Sequence, residues 1–340
     1  MQEIIIGKNE AGQRFDKYLH KYFKEAPGSF IYKMLRKKNI ELNGKKASGN
    51  EKLVEGDSIK LFMSEETIEK FKGSTANVPV QKHSLNNSFD IRKNIIYENE
   101  DILLLNKPAG VLSQKSAPQD ISVNEMIIDY LLAEKKLTEN ELETFKPSVC
   151  NRLDRNTTGL ITFGKTLKGI QELSLGFKER IFDKYYLAAV WGNIEKAALI
   201  DGYLKKDSKS NKVFISKTPS EDGDSSYIKT YYEPVAHGMI SDNNKNYPVT
   251  LLRIKLITGK THQIRAHLAS INHGIMGDDK YGNRGRNEYL KKAYKIKYQL
   301  LHSYELTFNY DDRLDALNKL AGETVKCPPH KLYEQLFDWR

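Results

Sequence analysis

A chain of 340 residues with 54 Lys and Arg against 44 Asp and Glu carries a formal net charge of +10. That is long enough for about two domains and basic enough to favour a polyanionic partner, although a basic surface with no such partner has the same net charge. The longest apolar runs, such as residues 102–105, fall far short of the roughly 20 residues a bilayer span needs, and residues 1–7 have neither the basic leader nor the apolar stretch of a secretory signal. Only Cys150 and Cys327 are present, too few for a disulfide framework and without zinc-ligand spacing, so a reduced cytoplasmic compartment is expected.

Up to residue 62 the chain holds 13 Lys and Arg against 8 Asp and Glu, so much of the excess charge is local. Phe15, Leu19, Tyr22 and Phe23 recur at helical spacing. A second helix, with Ser29 as the expected cap, turns Ile31, Met34 and Leu35 inward and leaves Lys33, Arg36 and Lys37 as neighbours on its other side. A short strand at 40–42 runs into Asn43-Gly44, the dipeptide best suited to a two-residue hairpin, followed by Lys45-Lys46. Glu55-Gly56-Asp57 turns the chain into the alternating strand 58–62. The order Arg-Phe-Asp-Lys-Tyr-Leu, basic helix, Ile-Glu-Leu-Asn-Gly-Lys and Glu-Gly-Asp-Ser-Ile resembles the small αL RNA-binding module named after a ribosomal small-subunit protein. The resemblance implies that Lys33, Arg36 and Lys37 face RNA; a basic amphipathic hairpin without an RNA role is the alternative. The module is expected over residues 1–63 and a linker over 64–90, where periodicity fades into Gly73-Ser74-Thr75-Ala76-Asn77 and Ser84-Leu85-Asn86-Asn87-Ser88.

From 91 to 340, strands are predicted at 95–97, 102–105, 160–164, 185–191, 227–233 and 249–256. One helix is marked by Val123, Met126, Ile127, Tyr130 and Leu131, another by Leu167, Ile170, Leu173 and Phe177. Many strands with few helices predict an α+β fold with a mostly antiparallel sheet.

The most informative segment is residues 151–160, where Arg152 and Arg155 flank Asp154 just before an apolar strand. Nearby cations favour an ionised carboxylate, ready as nucleophile or base; alone, Arg-Leu-Asp-Arg is more often a surface loop with ordinary ion pairs. The segment resembles the Arg-Leu-Asp signature of the RluA-type pseudouridine synthases. Further motifs of that family follow in order: Leu-Asn-Lys-Pro-Ala-Gly at 105–110, Lys184-Tyr185-Tyr186, Thr-Gly-Lys-Thr-His-Gln-Ile-Arg-Ala-His-Leu at 258–268, Gly-Asp-Asp-Lys-Tyr-Gly at 277–282, and Leu-Leu-His-Ser at 300–303.

The resemblance implies an isomerase that breaks the glycosidic bond of uridine in structured RNA, turns the uracil and rejoins it through carbon five. Such chemistry needs no cofactor and no metal. It implies Asp154 as the catalytic carboxylate, Tyr186 as the surface on which the base stacks and a group that can help remove the carbon-five proton, Arg265 as the cation paired with Asp154, and Arg152 as the group that fills the gap left by the flipped base. Arg155 and Lys107 are expected to touch RNA. Asn151 stands where the family usually has His, so altered local hydrogen bonding is expected there; Thr158, where Ser is commoner, keeps the hydroxyl. His262, His267 and His273 have no zinc spacing and are read as packing or RNA contacts, and the cations at 284, 286, 291 and 292 as a solvated face. The implied substrate is large-subunit ribosomal RNA, with transfer RNA second. A non-catalytic RNA-binding assembly factor is the rival reading, and hydrolysis is weaker because no second carboxylate is placed to activate water. No membrane partner is expected; a monomer is compatible with the sequence, which does not specify oligomeric state.

Overall fold

The computed structural model describes residues 1–72, 89–207, 212–242 and 245–339. The N-terminal unit runs β1 (Gln2–Ile5), α1 (Phe15–Tyr22), α2 (Gly28–Arg36), β2 (Ile40–Leu42), β3 (Lys45–Lys46), β4 (Ser58–Leu61) and α3 (Glu65–Lys72). Its four strands pair in the order β1-β4-β2-β3. Asn43 and Gly44 both have positive φ, 51° and 69°, the backbone a two-residue hairpin requires, and they set Leu42 opposite Lys45. Phe15, Leu19, Ile31, Leu35, Ile40 and Ile59 are fully buried or nearly so in one cluster confined to this unit.

Two local expectations are corrected here. The second helix is entered through Pro27 with no side-chain cap, so Ser29 lies inside its first turn; the fixed φ of proline already presets the entry. Residues 64–72, expected as linker, form a cap and helix: Ser64 Oγ accepts from the Thr67 N–H at 3.3 Å, and Ile68 is buried, with Phe71 packed against the same core. Residues 73–88 of the expected linker lie outside the described residues.

The second unit comprises α4 (Ile91–Asn94), β5 (Ile95–Glu98), β6 (Ile102–Lys107), α5 (Val123–Ala133), α6 (Glu139–Thr144), β7 (Ser148–Val149), β8 (Thr158–Gly164), α7 (Leu167–Lys178), β9 (Phe182–Trp191), β10 (Ala198–Lys206), β11 (Val213–Ser216), β12 (Ser225–Asp242), β13 (Lys245–Leu256), α8 (Gln263–Ser270), α9 (Arg284–Ala293), β14 (Leu301–Phe308), a 3-10 turn (Asp315–Leu320), β15 (Thr324–Lys326) and α10 (Leu332–Leu336). Eleven of the described strands form one sheet, ordered β11-β10-β12-β13-β9-β14-β8-β6-β5, with β15 on β14 and β7 on β8. Every pairing is antiparallel except β14 with β8, as the fold class predicts. At that parallel pair Gly159 has φ +103°, and a Cβ there would lie 2.2 Å from the Ser303 carbonyl oxygen, so the position admits only glycine. The crossing places the loop that precedes β8 at the centre of the sheet, beside β9 and β14.

The two units meet through polar groups. Lys8 pairs with Glu100 at 3.2 Å and lies 3.7 Å from Asp101, Asn9 donates to Glu141 at 3.1 Å, Thr144 to Glu10 at 2.8 Å, and Lys72 pairs with Glu143 at 3.1 Å. Among the described residues no helix is long and apolar enough to cross a membrane, and both cysteines are free.

Candidate active site

A cleft of about 1320 Å³ opens along the loops before β8 and before α8 and the facing stretch of β9. Among the described residues nine lysines and arginines line it against two carboxylates, Asp154 and Asp279, a balance that concentrates polyanions. Arg152 and Arg155 are exposed in its wall. Asp154 lies between them with its side chain one quarter exposed.

What holds Asp154 comes from two motifs far away in sequence. Arg265, in the first turn of α8, donates from Nη1 to Asp154 Oδ2 at 2.8 Å. The other edge of the same guanidinium is fixed by Asp278, with Nε to Oδ2 at 2.7 Å and Nη2 to Oδ1 at 2.9 Å. Two parallel bonds fix the plane of a guanidinium as well as its position. Asp278 is fully buried and also accepts the backbone N–H groups of Lys280 at 2.8 Å and Tyr281 at 3.0 Å. Burial alone would raise the Asp278 pKa, yet Arg265 and those two N–H groups outweigh it and hold it below the usual carboxylate range. Burial likewise works against the charge of Arg265, but the carboxylates of Asp278 and Asp154 raise its pKa still further. The result is a cation that stays charged and faces Asp154 in one orientation.

His262 closes the other side. It sits at φ +54° as the residue before α8, with Nε2 3.8 Å from Asp154 Oδ2 and Nδ1 3.0 Å from the Tyr281 hydroxyl. The Val213 N–H donates to that hydroxyl at 2.9 Å. Burial lowers the His262 pKa against the opposing pull of Asp154. Tyr281 also lies 5.3 Å from the Arg265 guanidinium, ring to cation.

Tyr186 enters from β9, buried in an apolar cluster with Leu153, Ile254 and Ile264. Burial pushes its phenol up to about 12, with Asp154 adding to the shift and a hydrogen bond to Ser303 opposing it, so the hydroxyl is neutral near pH 7. Asp154, Tyr186, Arg265, Arg152 and Arg155 thus converge on one cleft, whereas Lys33, Arg36 and Lys37 lie exposed at the end of α2 in the other unit.

Lys107 is a correction. Expected to touch RNA, it is fully buried, and its Nζ donates to the carbonyls of Pro108 at 2.8 Å, Val111 at 2.8 Å and Arg155 at 2.9 Å. Burial pushes its ammonium down to about 7, Asp154 opposing. It is a strut beneath the loop carrying Asp154, with no face left for a phosphate.

The asparagine at 151 bonds within β8: its Oδ1 accepts from the Thr162 N–H at 2.7 Å and its Nδ2 donates to the Leu160 carbonyl at 3.3 Å. Thr158 Oγ1 is 2.8 Å from His302 Nδ1. The basic run after Asn283 is a helix in which Arg286 lies 4.9 Å from the rings of both Trp191 and Tyr247, so that cation is engaged by aromatic faces and is not simply solvated. The sequence reading passed over Asp278 and Tyr281; their signal was the recurrence of Gly-Asp-Asp-Lys-Tyr-Gly, which carries no chemistry until α8 is folded against it. Among the described residues no group of three or more His, Cys, Asp or Glu is placed to hold a metal ion.

A family model described as RNA pseudouridylate synthase matches residues 101–270. The chain is 31% identical over 321 residues, covering 91% of itself and 90% of its relative, to the ribosomal large subunit pseudouridine synthase C of Buchnera aphidicola subsp. Baizongia pistaciae. It is 28% identical to the protein of the same name from Vibrio vulnificus, over 91% of this chain and 89% of that one. To an uncharacterized RNA pseudouridine synthase of Mycoplasma genitalium it is 28% identical, over 90% and 88%. Among solved structures, human RNA pseudouridylate synthase domain containing 1 has the same fold, with a TM-score of 0.52 at 22% identity over 72% of this chain and 85% of the human one.

Proposed function

The chain belongs to the RNA pseudouridylate synthase family, isomerases that act on uridine in RNA, and from that premise we propose that it modifies large-subunit ribosomal RNA with Asp154 as its catalytic carboxylate. The substrate reading is supported by relatives named for the large ribosomal subunit that align over nearly their whole length. The reading of Asp154 is carried by one observation: a carboxylate at the floor of a basic cleft, pinned at 2.8 Å by a guanidinium that is itself locked by a second, buried carboxylate.

Isomerisation breaks the bond between ribose and uracil nitrogen one, forms a bond from the same ribose carbon to uracil carbon five, and removes the carbon-five proton while nitrogen one gains one; nothing is oxidised and no water is consumed. Asp154 attacks the nucleotide, Arg265 holds its carboxylate in place, and Tyr186 supports the detached uracil while it turns. With its phenol neutral near pH 7, Tyr186 acts as a stacking surface and hydrogen-bonding group. Arg152 fills the space of the extruded base, by stacking and phosphate contact together, and Arg155 meets the backbone beside it. The N-terminal unit grips structured RNA through Lys33, Arg36 and Lys37, and the protein works in the cytoplasm, with its ribosomal substrate.

The deciding experiment maps pseudouridine across large-subunit ribosomal and transfer RNA in cells with and without the gene, then with Asp154→Ala supplied at normal level. Specific large-subunit uridines should lose the modification and the variant should not restore it. Loss confined to transfer RNA would move the substrate, and a purified Asp154→Ala enzyme within tenfold of wild type, about 1.4 kcal/mol in barrier, would remove Asp154 from the chemistry.

A further inference from the structure

Alternation along β9 sends Phe182, Lys184 and Tyr186 to one face and Asp183 and Tyr185 to the other. Phe182 packs edge-on against Phe177 near the end of α7, with ring centroids 5.3 Å apart, and Tyr186 lines the cleft. Lys184 lies between them. Its Nζ stands 5.9 Å from the Phe177 ring, and a Cβ added to Gly259 would come within 3.6 Å of it, so the ammonium sits where the end of α7 and the loop at 257–260 wall the cleft.

This ammonium is half-buried and, among the described residues, has no acidic side chain within ion-pair distance and no hydrogen-bond acceptor. The adjacent Asp183 points to the opposite face and is paired with Lys255 at 2.9 Å. A second cation, Arg180, exposed after α7 at φ +57°, lines the same cleft. Burial, and after it the charge of Arg180, push the Lys184 pKa down. Asp183 opposes that shift only in part, and two cations lining one cleft with no carboxylate bonded to the buried one form an unfavourable arrangement that an anion relieves.

We propose that Lys184 and Arg180 form a phosphate-binding subsite that holds the RNA backbone beside the nucleotide carried by Tyr186, a reading that rests on Tyr186 as the base platform. The two-residue step between Lys184 and Tyr186 spans roughly 6.6 Å along the strand, comparable to the separation of a base from the phosphate of its own nucleotide. One strand therefore presents the ring for the base and the cation for the backbone, and the pair measures whether a nucleotide is extruded far enough for both contacts to be made at once.

The test uses the whole chain and an unmodified large-subunit ribosomal RNA transcript, with binding followed over a salt series. Lys184→Met and Arg180→Met should each lower the log–log salt slope by about 0.7 to 0.9, the value of one phosphate contact, raise KM for the transcript, and add in the double variant. Lys184→Arg should restore the slope. Melting temperature reports folding, and Lys184→Gln replaces the methionine variant if that does not fold. Unchanged slopes in both single variants, or a loss of kcat with KM and slope unaltered, which would put Lys184 at the reacting base, overturn the subsite. If instead the family reading of substrate is at fault, wild-type protein forms no pseudouridine in that transcript while the slope differences remain.

Discussion

Asp278 is the residue on which the geometry of the site depends most without touching the reacting atoms. Arg265 has its guanidinium plane set by two bonds to Asp278 and reaches Asp154 with one N–H group, so the direction in which Asp154 points is fixed from behind. Asp278→Asn keeps the shape but removes the charge that Arg265 faces in a dry environment. Breaking one side of a buried ion pair costs about 3 kcal/mol or more, and that loss should appear in denaturant unfolding. Displacement of a reactive group by about 1 Å costs on the order of 100-fold in rate, so kcat should fall by roughly that factor in single-turnover assays with saturating RNA. An Asp278→Asn enzyme with wild-type kcat would show that Asp154 is oriented by other groups. Asp154 itself was legible in the sequence because Arg-Leu-Asp is local; Asp278 was not, since its partner lies thirteen residues earlier on a helix whose apolar periodicity is weak.

At the level of elements, the N-terminal hairpin and helices follow from short-range rules, and the structure has them where Asn43-Gly44 and the spacing of Phe15, Leu19 and Tyr22 placed them. Less legible were elements defined by their partners: β10, β11 and β14 carry mixed patterns and exist as strands because β12 pairs β10, β10 pairs β11, and β9 and β8 flank β14. Lys107 was misread for the same reason. Nothing in Asn-Lys-Pro discloses that three carbonyls converge on the ammonium once β6 and the loop at 155 are side by side. The cationic edge of α2 offers a test of the proposed division of labour. With Lys33, Arg36 and Lys37 each replaced by Ala, affinity for structured RNA should fall and the salt slope should flatten by about two to three, while kcat at saturating RNA stays near wild type. An unaltered slope in the triple variant would leave the N-terminal unit without its RNA contacts.

Across the whole molecule, stability is tied to pH through histidines buried in neutral form. His302, bonded to Thr158 and to the Cys327 carbonyl at 3.0 Å, and His267, 2.8 Å from Thr230 Oγ1, are both pushed down to about 4 by burial. In the unfolded chain each takes a proton below about 6.5, whereas the folded protein refuses it until about 4. Stability is therefore highest above pH 6.5, falls as pH drops through that window, and levels off for these two groups below 4. Each shift is worth on the order of 3 kcal/mol. Urea unfolding at pH 7 and pH 4.5 should register the loss, and His302→Gln should remove roughly half of it. A pH-independent stability over that range would mean that the imidazoles accept protons without unfolding.

The seam between the two units has a different consequence. Its recorded contacts are ion pairs and hydrogen bonds, Lys8 to Glu100, Asn9 to Glu141, Thr144 to Glu10 and Lys72 to Glu143, and the apolar cluster of the N-terminal unit ends at Phe71 without crossing it. A graft at this boundary meets the acidic landing formed by α6 and the turn at Glu100, and, if the N-terminal unit is the RNA-binding unit proposed above, exchanging it should redirect the isomerase to other uridines.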